Sequence, residues 1–315
     1  MLTTVLVNFN HGHYLAESLE GLLRQTRRAD EFIVIDDAST DNSVEIVSSF
    51  LPRHPNARLV RNPVNQGVVK NMNDGLKMSR GTFIHFAASD DLFYPTLYEK
   101  GMGLLAAYPS AGFFSARSDL ISAVGHNLDA PMPASGIPSR QPEFLASDAV
   151  RALLLSHDGW FMGNTALFRR DYLVYEGGFP EDLMSYADGY MCRLLALKYG
   201  ACFSPKLLAA WRRLDDGFSS MLTRSPEKAL ALIAAVARKM QDADTIFSAE
   251  YVKRWKGRAE FGVKRQALAR GREQSSGTGG RIAASAREKF LLAALVLKLR
   301  PWDIAEIMRE RFGLR

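Results

Sequence analysis

Two pairs of adjacent aspartates, Asp36-Asp37 and Asp90-Asp91, stand out in this 315-residue chain as groups that could do chemistry. Each follows an apolar run, Phe32 to Ile35 for the first pair and Thr82 to Ala87 for the second. A carboxylate set beside hydrogen-bond donors suits a nucleoside, whose base N–H and ribose hydroxyls need acceptors. A second set suits a divalent cation, because hard ions such as Mg2+ or Mn2+ take oxygen ligands and are shared between carboxylates and a diphosphate. The sequence has no glycine-rich phosphate loop of the P-loop or dinucleotide-binding type, so a metal would have to neutralise any diphosphate. His11 and His13 lack a third ligand nearby and read as polar turn residues at a ligand-facing edge.

The elements around these residues must bring them together. Phe32 to Ile35 is β-branched and does not alternate, which is how a strand buried on both faces of a parallel sheet reads. Ser39, Thr40 and Asp41 supply cap chemistry for a helix starting near Asn42, so Asp36 and Asp37 fall at the carboxyl edge of a strand, where open α/β sheets bind ligands. Thr4 to Phe9 reads as a preceding strand and Tyr14 to Gln25 as an amphipathic helix carrying Leu15, Leu19, Leu22 and Leu23. A right-handed crossover then lays the two strands side by side. Ala57 to Arg61 is expected as a third strand, residues 62–67 as a loop, and the following stretch to Ser79 as a helix. Thr82 to Ala87 is the fourth strand and delivers Asp90 and Asp91 to the same edge. Leu92 to Ala107 reads as a helix with Pro95 in its first turn, and Gly112 to Val124 as a strand.

Composition fits a globular α/β protein, with 47% hydrophobic and 23% charged residues. From Ser225 to Arg315 there are 19 Lys+Arg against 10 Asp+Glu, a net of +9, so the first 224 residues carry 6 − 9 = −3. Cys192 and Cys202 offer neither a metal-ligand spacing nor a disulfide framework, and a reducing cytosol is the compartment expected. The sequence shows no secretory signal pattern and no apolar stretch approaching the roughly 20 residues of a membrane-spanning helix.

The run VNFN, then IDDASTDNS, then NQGVVKNMNDGLKMSRGTFIHFAASDD resembles the N-terminal half of the inverting family 2 glycosyltransferases, which have the GT-A fold. The resemblance covers about residues 1 to 215. It implies a Rossmann-like, mostly parallel sheet flanked by helices over residues 1–222, and says little about residues 223–315, whose own pattern reads as a basic helical appendage. It also implies that Phe9 packs on the base of a nucleotide-sugar, that Asp37 hydrogen-bonds that base, and that Asn10, Asn65, Gly67 and Asn73 lie beside the nucleotide. Asp91 would ligate a bridging Mn2+ or Mg2+, with Asp90 beside the ribose and phosphates. Many members carry a further Asp where this chain has Ala88.

The turn Gly177-Gly178-Phe179 followed by SYADGYMCRLLALKYG resembles the family's entry to an acidic helix start, usually Glu-Asp where this chain has Ala187-Asp188. Asp188 is therefore the expected catalytic base, held ionised in the first turn of a helix by the helix dipole. Trp160, in the segment HDGWFMGNTALFRR, is expected either to stack on an acceptor sugar or to fill the core. Asn127 to Pro142, with four prolines, reads as a loop that borders the acceptor site or is inert. Arg212 or Arg213, in an aromatic-Arg turn after a strand, is expected to reach the diphosphate. The Gln-x-x-Arg-Trp motif of processive synthases is absent, so transfer of single residues is expected.

Beyond Pro226 the pattern is helical and basic: Ala229 to Asp242, Ala249 to Arg272, a SSGTGG break, then two helices interrupted at Pro301. The apolar stretch Leu291 to Leu299, with Lys289, Lys298 and Arg300 beside it, suits helical packing, self-association or docking at the inner face of the cell membrane. The interleaved acids and apolar faces argue against nucleic acid as the partner. Together these readings describe a cytoplasmic, metal-dependent inverting glycosyltransferase. It would transfer a sugar, from a UDP-sugar by preference, to a saccharide or lipid-linked acceptor in cell-surface polysaccharide synthesis. Two rivals remain. A nucleotidyltransferase would need a glycine- and arginine-rich loop after the first strand, and FNHGHYL offers none. A non-catalytic nucleotide-sugar-binding module is kept open by Ala187 and Ala88.

Overall fold

The computed structural model describes residues 1–133, 136–214, 217 and 225–275. The chain divides into two compact units, Met1–Leu214 and Asp215–Arg315. The expected boundary at 222/223 lies outside the described residues, as do the SSGTGG break, Pro301 and Leu291 to Leu299.

The first unit is built on a nine-stranded sheet in the order β3-β2-β1-β4-β8-β6-β9-β5, with β7 paired to β9. Strands β1 (Leu2–Asn8), β2 (Glu31–Asp36), β3 (Ala57–Arg61) and β4 (Phe83–Ala88) are mutually parallel. β2 is buried along its whole length, as its unbroken apolar run requires of a strand covered on both faces. Helices α1 (Gly12–Leu23), α2 (Ser43–Phe50) and α3 (Val68–Met78) make the crossovers. Leu15, Leu19 and Leu22 of α1 pack with Leu6, Val34 and Ala87 in one apolar layer.

The sheet then turns mixed. β8 (Leu167–Arg169) runs antiparallel to both β4 and β6 (Phe113–Ile121), while β6 runs parallel to the long β9 (Ala201–Arg212). Leu92 and Phe93, expected to open a helix, instead form β5 (Leu92–Phe93), antiparallel to Ala210 and Ala209 of β9. Helix α4 (Leu97–Ala107) starts only after Pro95. The pairing partner lies more than a hundred residues away, and no local pattern reports it. Within 127–142, Asn127 bridges to Ile121 and Met132 to Ser118, so part of this expected loop adds short antiparallel contacts to β6. β7 (Glu143–Leu145), α5 (Ser147–Ser156), α6 (Arg170–Tyr175) and α7 (Ala187–Tyr199) complete the unit.

In the second unit α8 (Pro226–Asp242) and α9 (Ala249–Ser275) pack on one another. Ser225 caps α8 by accepting from the Lys228 N–H at 3.4 Å, with Pro226 in the first turn. Its buried residues Ala229, Ile233, Val236, Ala237 and Met240 recur at helical spacing.

Candidate active site

β1 is flanked by β2 and β4, with Asn8 opposite Asp36 and Val7 opposite Ala88. The two aspartate pairs therefore leave the sheet at one edge, on either side of Phe9 and Asn10. Phe9 is 42% exposed there, an apolar ring presented to solvent at the strand end. Asn10 has a positive φ of 54°, and its side-chain oxygen accepts from the Thr40 N–H at 2.8 Å. This short amide stabilises a left-handed turn that other side chains adopt at a cost.

Asp37 is only 2% exposed. Its carboxylate accepts from the Asn62 side chain at 2.7 Å and from the backbone N–H groups of Gln66 and Gly67 at 2.9 Å each. Burial works against the charge, but hydrogen bonds from Asn71, Asn62, Gln66 and Gly67 outweigh it and hold the carboxyl below its ordinary range. Asp37 fastens the 62–67 loop, and the loop, carrying the exposed Asn65 and the half-buried Gly67, forms this side of the edge. Asn73 on α3 is engaged in the same way. Its amide accepts from the Phe179 N–H and donates to the Phe179 carbonyl, both at 2.8 Å, clipping α3 to the glycine turn. Gly178 sits there at φ 77°, where a Cβ would come within 2.7 Å of the Asn73 oxygen. Both polar groups of Asn73 are taken.

On the other side of Phe9, Asp91 is 3% exposed and accepts from the Arg212 N–H at 2.9 Å. Burial and then the neighbouring Asp90 charge push its carboxyl well up, against weaker help from Arg212 and the Asn164 side chain. Asp90 lies 4.0 Å from His11 Nδ1. The buried Arg212 guanidinium donates to the Asp90 carbonyl at 2.8 Å, the Ala123 carbonyl at 3.1 Å and Glu17 at 2.8 Å. The arginine expected at the diphosphate is instead a clasp that ties β9, α1 and the end of β6 around the aspartate pair.

Among the described residues no three His, Cys, Asp or Glu side chains gather as a ready-made metal site. The donors nonetheless fit a hard cation. Burial and the Asp90 charge disfavour an ionised Asp91, Arg212 and the Asn164 amide N–H offset them only in part, and a cation set against the pair would relieve the remainder. Asn164, whose side chain hydrogen-bonds Asp91, lies in the segment that carries Trp160 and was not singled out by the sequence. Trp160 itself is 0% exposed, stacked on Phe113 at 6.2 Å and edge-on to Phe203 at 5.9 Å. The core alternative is the one observed, and stacking on an acceptor sugar is corrected.

Asp188 stands in the first turn of α7, where its Oδ1 accepts from the Gly189 N–H at 2.7 Å. The turn at Gly163–Thr165 passes directly beside it: a Cβ on Gly163 would lie 2.5 Å from Asp188 Oδ2. Burial raises the Asp188 carboxyl above its ordinary range, with the Gly189 N–H and then the Arg193 charge pulling it back. Arg193 is held by Asp158 at 2.7 Å and donates to the Gly189 carbonyl at 2.8 Å. One turn of three residues thus touches both chemistries, Gly163 against Asp188 and Asn164 against Asp91.

This architecture, a mostly parallel sheet with carboxylates at its carboxyl edge and a mixed extension, is the GT-A glycosyltransferase fold. Over residues 3–173, more than half of its length, the chain matches the family described as Glycosyl transferase family 2, and it belongs to that family. It is 37% identical over 98 residues to the uncharacterized glycosyltransferase YibD of Escherichia coli K12, covering 31% of this chain and 28% of that one. With the glycosyltransferase GlyG of Streptococcus pneumoniae serotype 4 it shares 32% identity over 99 residues, 31% of this chain and 33% of GlyG. The chain thus spans about a third of the length of these curated relatives. Among solved structures, the mannosyltransferase PcManGT of Pyrobaculum calidifontis in complex with GDP-Man and Mn2+ superposes with a TM-score of 0.62 at 19% identity, covering 100% of this chain and 88% of that one. TarS 1-349 of S. aureus in complex with UDP-GlcNAc gives 0.59 at 17%, covering 99% and 90%.

Proposed function

We propose that the chain is a metal-dependent inverting glycosyltransferase that uses a nucleoside diphosphate sugar, a UDP-sugar by preference, and that Asp188 is its base. The observation that carries this reading is the Gly163–Thr165 turn, where Gly163 lies against Asp188 and the Asn164 side chain hydrogen-bonds Asp91. Phe9 would pack on the base, with Asn10, Asn65 and Gly67 forming the wall that Asp37 fastens. Asp90 would face the ribose and phosphates. A divalent cation held by Asp91, Mn2+ or Mg2+, would supply the positive charge that a departing nucleoside diphosphate needs. A relative of the same fold bound to GDP-Man and Mn2+ supports that assignment.

Asp188 would take the proton of an acceptor hydroxyl as its oxygen attacks the anomeric carbon from the face opposite the leaving group. Its raised pKa makes it a stronger base than an exposed aspartate. The Gly189 N–H at the helix start and the Arg193 charge act against burial and favour its ionised form. The acceptor would be a saccharide or lipid-linked saccharide, by analogy with glycosyltransferases of the family.

Calorimetric titration with UDP, GDP, dTDP and CDP, with and without Mn2+, tests the donor side on the full chain and on Asp91→Ala. Cation-dependent binding of one nucleotide, lost in Asp91→Ala, is the expected result. Absence of binding by all four would leave the aspartates as structural remnants. A product whose anomeric configuration matches the donor's would contradict inversion.

A further inference from the structure

Behind Asp188 lies a buried ion pair, Arg193 with Asp158, whose side chains are 11% and 6% exposed. Nε and Nη2 of Arg193 donate to Asp158 Oδ1 at 3.0 and 2.7 Å, and Nη1 donates to the Gly189 carbonyl at 2.8 Å. Side chains on a helix lean toward its N-terminus, so an arginine in the second turn of α7 lies back over the first. The Phe161 ring lies 4.8 Å from the guanidinium carbon and fixes the plane of the fork. A lysine ammonium could not make these contacts together.

Gly189 is what Arg193 and Asp188 share. Its carbonyl accepts from Arg193, and its N–H donates to Asp188 Oδ1 at 2.7 Å. A Cβ on Gly189 would lie 3.0 Å from Arg193 Nη1, so the bare backbone lets the guanidinium close on the turn. The other carboxylate oxygen, Oδ2, faces the equally bare Gly163. Asp158, Phe161 and Gly163 belong to one short segment, anchored between them by the buried Trp160. That segment reaches Asp188 twice, directly at Oδ2 and through Arg193 and Gly189 at Oδ1. A buried ion pair adds little stability over an apolar replacement, because desolvation offsets the attraction. What this pair adds is a fixed point behind the carboxylate.

We propose that Arg193, locked by Asp158 and Phe161, is a positioning residue for Asp188: through Gly189 it holds Oδ1 on the helix start and leaves Oδ2, on the side of the Gly163 turn, as the oxygen that takes the proton. The inference rests on the reading of Asp188 as the base, and goes beyond it in assigning the three residues that orient it. Cys192 on α7 and Tyr186 in the turn before it also bear on Asp188 and Arg193, and both stay in place in every variant below.

The test is carboxyl-carbon NMR of the full chain carrying carbon-13-labelled aspartate, the resonance missing from Asp188→Asn being that of Asp188. Amide exchange at Gly189 and thermal melting are followed alongside. Arg193→Met should move the Asp188 titration to higher pH and quicken Gly189 exchange roughly fivefold, the worth of one hydrogen bond. Asp158→Asn combined with Arg193→Met strands no buried charge, so it should melt closer to wild type and still show both changes. Arg193→Lys keeps the charge without the fork and should not restore Gly189 protection. Restored protection in Arg193→Lys would assign the effect to charge alone and overturn the positioning role. Wild-type titration and exchange in the double variant would overturn it too, because any change in Arg193→Met would then be lost stability; the base reading would stand. Donor turnover at the wild-type rate by Asp188→Asn would instead overturn the base reading, and this inference with it. Should Arg193→Met alone fail to fold, the double variant and Arg193→Lys decide the matter.

Discussion

A single carboxylate can be asked to do opposite things in this protein, and its neighbours decide which. Asp37 is surrounded by donors and held below the usual range, whereas Asp91 and Asp188 are buried with too few donors and pushed above it. A group made more basic and set at a helix start is suited to accept a proton. Asp188→Asn keeps the shape and removes the basicity, so kcat should drop by roughly 100- to 10,000-fold with nucleotide affinity little changed. The acid limb of kcat/KM should report an apparent pKa above the ordinary 3.8 of an aspartate, since activity is lost as Asp188 protonates. A limb at or below 3.8 would remove Asp188 from the base role. The type of this residue and its place in the chain were legible in the sequence through the acidic helix start. The buried Trp160 and the clasping Arg212 were not, because an aromatic or a cation reads the same in sequence whether it faces solvent or closes a core. What decides is packing, Trp160 on Phe113 and Arg212 on backbone carbonyls.

At the scale of elements, the site is held by clips between segments distant in sequence. Asn73 joins α3 to the glycine turn that precedes α7, across 106 residues. Asn73→Ala breaks both bonds and leaves the Phe179 N–H without its partner, a cost of about 1–3 kcal/mol. A lowered melting temperature with wild-type nucleotide affinity is expected, by thermal denaturation and calorimetry. An unchanged melting temperature with weakened nucleotide binding would return Asn73 to the ligand. Met184 offers a second check on the same turn. Its φ of 45° with ψ of −122° is a conformation glycine adopts readily and methionine does not. Met184→Gly should therefore be neutral or stabilising, where most substitutions destabilise; a clear fall in melting temperature would show that the side chain is needed. The β-α repeats were legible as buried β-branched runs separated by amphipathic helices, because those patterns are local. β5 was not, since a two-residue strand has no pattern of its own and exists only through Ala209 and Ala210 of β9. The asparagine clips were equally silent.

For the molecule as a whole, the carboxylates at the sheet edge link stability to pH and to cations. The sign follows from the direction of the Asp91 shift. A carboxyl whose folded pKa is raised above its unfolded value contributes stability that is fully present below the unfolded pKa and is lost as pH rises through the folded one. Above the unfolded pKa, the buried Asp91 therefore costs stability, a cost that a bound cation would relieve. Mn2+ should raise the melting temperature, by an amount equivalent to about 2.7 kcal/mol at 100 times its dissociation constant. Asp91→Asn keeps an acceptor for the Arg212 N–H and removes the charge beside Asp90, so without metal at pH 7 it should melt higher than wild type. It should also lose the Mn2+ response. These two results belong together, because one buried charge produces both. An Asp91→Asn protein that melts lower than wild type without metal would mean that the charge is already compensated by Arg212, and that the repulsion within the pair is not what draws the cation.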